Sequence, residues 1–156
     1  MVSGYAEIEK DINALKAHPN LDDYDAQRAS WSWDDMWAEL DTPNGLINQA
    51  HECIDRHAAS DKATKLAMIW QSASGDVEEY TYADMKRETD KIANAFRGVG
   101  IEKGDRVFFL SDRIPELYFG VFATLKLGAI AAPLFSAFGP EPIKDRVERA
   151  EGKAIV

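Results

Sequence analysis

The sequence runs to 156 residues, 46% hydrophobic and 29% charged, the composition of about one globular domain with a core of its own. A formal charge of −9, from 18 basic and 27 acidic side chains, argues against a nucleic-acid partner, because phosphate neutralisation needs a basic face. The single Cys53 excludes an internal disulfide and fits a reducing compartment, and no apolar run approaches the ~20 residues of a membrane span, so a cytoplasmic protein without a membrane partner is expected.

In chain order, Tyr5, Ile8, Ile12 and Leu15 recur at spacings of three and four, which predicts a first helix ended by His18-Pro19-Asn20. The next stretch, WSWDDMWAEL, holds three of the four tryptophans and puts Trp33, Trp37 and Leu40 on one helical face. We read it as an arm stapled onto a larger body rather than as a ligand-stacking platform. After the turn TPNG, LINQAHECIDRHA predicts a further helix.

The character of the chain changes near residue 62. KLAMIWQS and VEEYTY flank SASGD, whose Gly75-Asp76 suits the turn of a β-hairpin. Thr81 and Asp84 form a TxxD capping box, and Met85, Thr89, Ile92, Phe96 and Val99 make the apolar stripe of the helix it opens, closed by Gly98 and Gly100.

The segment RVFFLSDRIPELYFGVFATLKLGAIAAPLF is the most informative. Val107 to Leu110 are apolar on both sides of the pleat, as in a parallel strand covered on both faces. Pro115 opens a helix that is apolar almost all round and should be sandwiched between layers. Gly128 closes it, AIAAPLF supplies the next strand, and a helix from Pro140 carries Ile143, Val147 and Ala150 on one face before KAIV begins a third strand. The predicted fold class is α/β: a helical N-terminal arm (residues 1–61), then a hairpin and the first β-α-β-α-β unit of a doubly wound, mostly parallel sheet (residues 62–156), expected to be incomplete at its C-terminal end.

Three constellations invite chemistry. HECIDRH offers His51, Cys53 and His57, but six residues put the two histidines about 240° apart on a helix, so no metal site is expected. GVGIEKG resembles a dinucleotide fingerprint with one residue too many, and it follows a helix and precedes a strand, the wrong order for a pyrophosphate site, so it reads as a turn. The third comprises the loops at the carboxyl ends of the parallel strands, Ser111-Asp112-Arg113 and Ser136-Ala137-Phe138-Gly139, where open α/β sheets bind ligands. For the first of these, a capping role for Ser111 or Asp112 stands beside a functional one. No histidine follows His57, so neither loop forms a nucleophile and base pair, and no catalytic residue is assigned.

The ordered string CIDRH, EYTYADMKRETDKIANAFRGVGIEKGDRVFF, RIPELYFGVFATLKLGAIAAPLFSAF and IKDRVERAEGKAIV resembles the N-terminal portion of AMP-forming acetyl-CoA synthetases, within the adenylate-forming acyl-CoA and aryl-CoA synthetases. The likeness covers residues 21 to 156 and is strongest after Tyr80. It implies a two-step ligase: a carboxylate attacks the α-phosphate of ATP, with Mg2+ assisting, to give an acyl-adenylate and pyrophosphate, and the thiol of coenzyme A then displaces AMP. The tryptophan arm and CIDRH resemble the acetate and propionate branch. The family's phosphate loop, adenine and ribose contacts, hinge and catalytic lysine fall beyond Val156, so the resemblance implies an N-terminal fragment that is inactive alone and works with the rest of a parent polypeptide. The rival reading is a stand-alone interaction or nucleotide-binding module. In acetyl-CoA synthetases the stretch aligned with LFSAF has glycines beside the coenzyme A nucleotide; Ser136 and Ala137 stand in those places, and with Phe138 they are the expected wall of the coenzyme A entry. The helix after them is expected to offer amide groups to a phosphate.

Overall fold

The structure is a computed structural model that describes residues 11, 14–16, 19–42 and 45–156. Most of the helix expected over Tyr5 to Leu15, and Pro43-Asn44 of the TPNG turn, lie outside the described residues. The chain divides into two compact units, Met1–Glu39 and Leu40–Val156.

The first unit holds α1 (Tyr24–Ser30) and α2 (Trp33–Ala38). Each starts at a side-chain cap: Asp23 Oδ1 accepts from the Ala26 amide at 2.9 Å, and Ser32 Oγ from the Asp35 amide at 3.1 Å. Sequence patterning gave α2 and missed α1, which has no apolar stripe and no buried residue. The rings of Trp31 and Trp33 meet edge to face at 4.8 Å.

The second unit opens with α3, wound as a π-helix over His51–Asp55 and as an α-helix over Arg56–Ala58. Expected from Leu46, it starts later because Asn48 Oδ1 accepts from the amides of Ala50 (2.9 Å) and His51 (3.2 Å), which caps it. Ile54 points into the core and Cys53 is exposed. Strands β1 (Leu66–Gln71) and β2 (Val77–Thr81) pair antiparallel around the expected turn, with Gly75 at φ +95°. The capping box is formed as expected, Thr81 with Asp84, and opens α4 (Tyr82–Gly98).

Met85 and Thr89 of the expected α4 stripe are buried, and Ile92 and Phe96 are partly so. Val99 is not part of it: it is 76% exposed. Ala93 takes the buried place in the last turns, because α4 ends at Val99 and the Ile101 amide returns to the Phe96 carbonyl, turning the chain inward at Ile101 instead.

The parallel sheet has the order β4-β3-β5, from β3 (Arg106–Phe109), β4 (Ile130–Pro133) and β5 (Ala154–Ile155). β3 pairs with both neighbours, and Val107, Phe108 and Phe109 are buried on its two faces as expected, whereas Leu110, read as part of the same strand, lies past its end and is 36% exposed. Because side chains alternate, Val107 and Phe109 leave one face and Phe108 the other. On the first face, Val107 and Phe109 join Ile101 and Ala129 under α5 (Pro115–Lys126), whose Leu117 and Val121 pack against them. The other side of α5 packs Phe119 against Ile54 and Met85, so the apolar helix is sandwiched as expected. Each fully buried phenylalanine or valine here is worth about 1.5–3 kcal/mol. On the second face Phe108 lies against Gly152, just after α6 (Pro140–Arg149), so closely that a Cβ at Gly152 would stand 2.8 Å from its ring.

Candidate functional site at the carboxyl edge of the parallel sheet

Parallel strands deliver their following loops to one edge of a sheet, so the segments after β3 and β4 emerge together. The Leu134 amide donates to the Phe109 carbonyl at 2.8 Å and ties the second loop to the end of β3.

The first loop does not do what a capping reading asks of it. The N-cap of α5 is Ile114, with no side-chain cap, and Ser111 Oγ donates to the Asp112 carbonyl at 3.0 Å. Pro115 supplies no N–H at the helix start, so α5 needs little capping there. The Arg113 carbonyl accepts from the Trp70 indole at 2.6 Å, and the residue lines a cavity of about 380 Å³ with Trp70 and Tyr118, separate from the second loop.

The second loop is a tight turn. The Phe138 amide donates to the Phe135 carbonyl at 3.0 Å, so Ser136 and Ala137 sit exposed at its corner. Phe138 folds back: its ring meets Phe135 edge to face at 5.8 Å, and the Arg146 guanidinium carbon stands 4.3 Å above its centroid. Phe135, Phe138 and Arg146 border a cavity of about 740 Å³ whose floor is the second sheet face, Phe108, Ile130 and Ala132. Of the three residues expected to form a wall, Phe138 lines this cavity; Ser136 and Ala137 do not, and are exposed.

The start of α6 is a poorer phosphate cradle than its position implied. Pro140 and Pro142 lack N–H groups and the Ile143 amide reaches back to the Gly139 carbonyl, which leaves Glu141 as the amide donor of the first turn, beside its own carboxylate. The cationic groups along the cavity are instead Arg146 and Arg149 on α6 and Arg106 on β3.

The HECIDRH residues do not converge. His51 Nε2 meets Asp41 Oδ2 at 2.7 Å, while the His57 ring lies 4.9 Å from that of Tyr82, its pKa lowered by burial and by Lys62 and Arg56. Among the described residues no group of three or more His, Cys, Asp or Glu could hold a metal ion.

Sequence reasoning missed two polar clusters. Lys126, the one basic residue of the mostly apolar α5, donates to Asp55 of α3 (2.7 Å) and to Asp90 of α4, while Asn48 Nδ2 donates to the Leu125 carbonyl at 2.8 Å. A lone lysine inside PELYFGVFATLKLG was the available signal. Arg106 donates to the carbonyls of Ala150 and Glu151, each at 2.6 Å, and closes the end of α6; nothing local to its position marks that role.

Residues 54–156 match the model of the family described as AMP-binding enzyme, about two thirds of the chain. The chain belongs to this family. Among its relatives is the acetyl-coenzyme A synthetase of Bacillus subtilis, 40% identical over 149 residues that make up 94% of this chain and 26% of that protein. The 3-hydroxypropionyl-coenzyme A synthetase of Metallosphaera sedula is 38% identical over 72% of this chain and 17% of its own length. A crystal structure of a Brucella canis acyl-CoA synthetase superposes with a TM-score of 0.77 at 31% identity, covering 86% of this chain and 24% of that one. This AMP-binding enzyme segment thus spans about a quarter or less of the length of these relatives, and its α/β architecture is that of the superposed part of the Brucella canis structure.

Proposed function

We propose that these residues are the N-terminal portion of an AMP-forming short-chain acyl-CoA synthetase, with acetate as the carboxylate. The observation that carries the reading is 40% identity to an acetyl-coenzyme A synthetase across 94% of the chain. In the proposed reaction the carboxylate displaces pyrophosphate from ATP, and the coenzyme A thiol then displaces AMP from the acyl-adenylate. We read residues 62–156 as the start of the large N-terminal domain and residues 1–61 as a helical N-terminal arm, of which the stretch from Leu40 onward belongs to the second compact unit. We place the enzyme in the cytoplasm, where ATP and coenzyme A are at hand; among the described residues no helix is long and apolar enough to cross a membrane.

The part taken by this segment is a scaffold and one wall. The turn at Ser136 and Ala137 leaves the carboxyl edge of the sheet, and its exposed corner is where an incoming coenzyme A would slide. With one first-turn amide left on α6, the wall acts by shape rather than as a phosphate cradle. The magnesium of the family's chemistry does not fit this segment, which offers no carboxylate cluster among its described residues, and no step assigned here runs through it.

The test is acetate-dependent exchange of pyrophosphate into ATP, run on the full-length polypeptide carrying this segment and on the 156-residue chain alone. Exchange by the first and none by the second is expected. No exchange by the full-length protein with acetate or propionate would overturn the assignment, and exchange by the short chain would overturn its role as scaffold.

A further inference from the structure

We propose that Arg146 is a positioning residue for the 135–139 turn, fixing the corner at Ser136 and Ala137 through its contact with Phe138. The use of that corner by coenzyme A rests on the reading above; the positioning itself rests on geometry alone.

Three observations converge on Arg146. Its guanidinium carbon lies 4.3 Å from the Phe138 ring centroid, the range of a cation–π contact. Its Nη1 donates to the Pro142 carbonyl at 2.9 Å, one turn back on α6, which fixes the planar group over the ring. Phe138 in turn is held by its edge-to-face contact with Phe135 at 5.8 Å and by the hydrogen bond its amide N–H donates to the Phe135 carbonyl at 3.0 Å. The corner residues have no such hold: Ser136 and Ala137 are exposed, and neither side chain makes a hydrogen bond that would set the turn. Their place is therefore set from below, by the stack of Phe135, Phe138 and Arg146. Lysine could keep a charge near the ring but not the planar fork that meets ring and carbonyl together.

The experiment uses Arg146→Gln, Arg146→Lys and Phe138→Leu. Hydrogen exchange reads the Phe138 amide, and the two half-reactions of the full-length polypeptide are assayed separately. For Arg146→Gln we expect faster exchange at the Phe138 amide and a rise of roughly two- to five-fold in KM for coenzyme A, the size of an exposed cation–π contact expressed as an equilibrium ratio. Pyrophosphate exchange should be unchanged. Arg146→Lys should restore part of the effect, Phe138→Leu should reproduce it, and the double variant should add nothing to either. If Arg146→Gln folds poorly, Phe138→Leu carries the same test from the other side of the contact.

Unchanged amide exchange in both single variants would overturn the positioning role. A raised KM with unchanged amide exchange would overturn it too, by making Arg146 a direct contact of the coenzyme. Faster amide exchange with KM unchanged would uphold the positioning and overturn the coenzyme A reading of the turn.

Discussion

Replacing Lys126 by methionine should destabilise the second unit by about 2 kcal/mol, a figure placed between the ~3–5 of breaking a buried ion pair and the ~0–1 of an exposed one. The Lys126 side chain is 9% exposed and joins three helices, bonding Asp55 of α3 at 2.7 Å and Asp90 of α4 from its place at the end of α5. Asp55 and Asp90 are 23% and 40% exposed, so water screens part of what is lost, and Asp90 keeps its bond to Lys86. Methionine fills the space of the lysine stem but leaves two carboxylates facing each other. In the parent, burial pushes Asp90 up, and its bonds to Lys126 and Lys86 outweigh that and hold it below the ordinary value, so its contribution is present above about pH 4 and fades as pH falls. In the variant Asp90 keeps Lys86 but loses Lys126 and faces Asp55, so its pKa moves up relative to the parent's, and the loss caused by the substitution should shrink as pH falls. Urea and thermal unfolding followed by circular dichroism between pH 4 and 7 measure both, with a Tm lower by about 8 °C expected in the thermal scan at neutral pH. Adding Asp90→Asn should return roughly half of the loss. A loss under ~0.5 kcal/mol, or a variant whose stability falls with pH as the parent's does, would refute the buried-bridge reasoning.

Two further changes probe the packing and the helix start. Gly120→Ala would bring a Cβ to 2.6 Å from Phe109 Cε1, and Phe109 is 2% exposed and cannot yield, so the urea midpoint should fall by the equivalent of about 1–3 kcal/mol; an unchanged midpoint would mean that α5 can lift from β3. Thr81→Ala should cost about 1 kcal/mol at neutral pH through loss of the α4 cap. Asp84 is held down to about 2 by the Thr81 hydroxyl, the Thr81 amide and Arg87, so its stabilisation is complete above the ordinary carboxylate range and is lost as pH falls toward 2. The alanine variant should show a shallower acid limb between pH 4 and 2, and a limb as steep as the parent's would contradict the assignment.

The parallel unit was legible because its signals are local and redundant. Val107 to Phe109 could be buried on both faces only between covering layers, Pro115 and Gly128 bracket one helix, and Thr81 with Asp84 marks another. The hairpin was legible from its turn. What escaped was set by tertiary context. Asn48 shortened a helix by capping it and at the same time holds the end of α5, 77 residues away. Val99 fits the α4 period but falls past the turn that sends Ile101 inward. At the candidate site, the position of Ser136 to Phe138 after a central strand was readable, whereas the stack that holds the turn was not: Phe138 and Arg146 are eight residues apart across a turn and the start of a helix, and no single periodicity spans both. The proline pair at the start of α6 was in plain view, and its effect on amide supply follows only once the helix boundary is known.

The most direct test of the account is Ala137→Trp in the full-length polypeptide, with both half-reactions measured. A wall for coenzyme A at the exposed corner predicts that KM for coenzyme A rises by roughly tenfold, the equivalent of about 1.4 kcal/mol, while acetate-dependent exchange of pyrophosphate into ATP is unchanged, since adenylation does not use the thiol. If both half-reactions fell together, or neither moved, the turn would be structural and the account of this segment would fail at its centre.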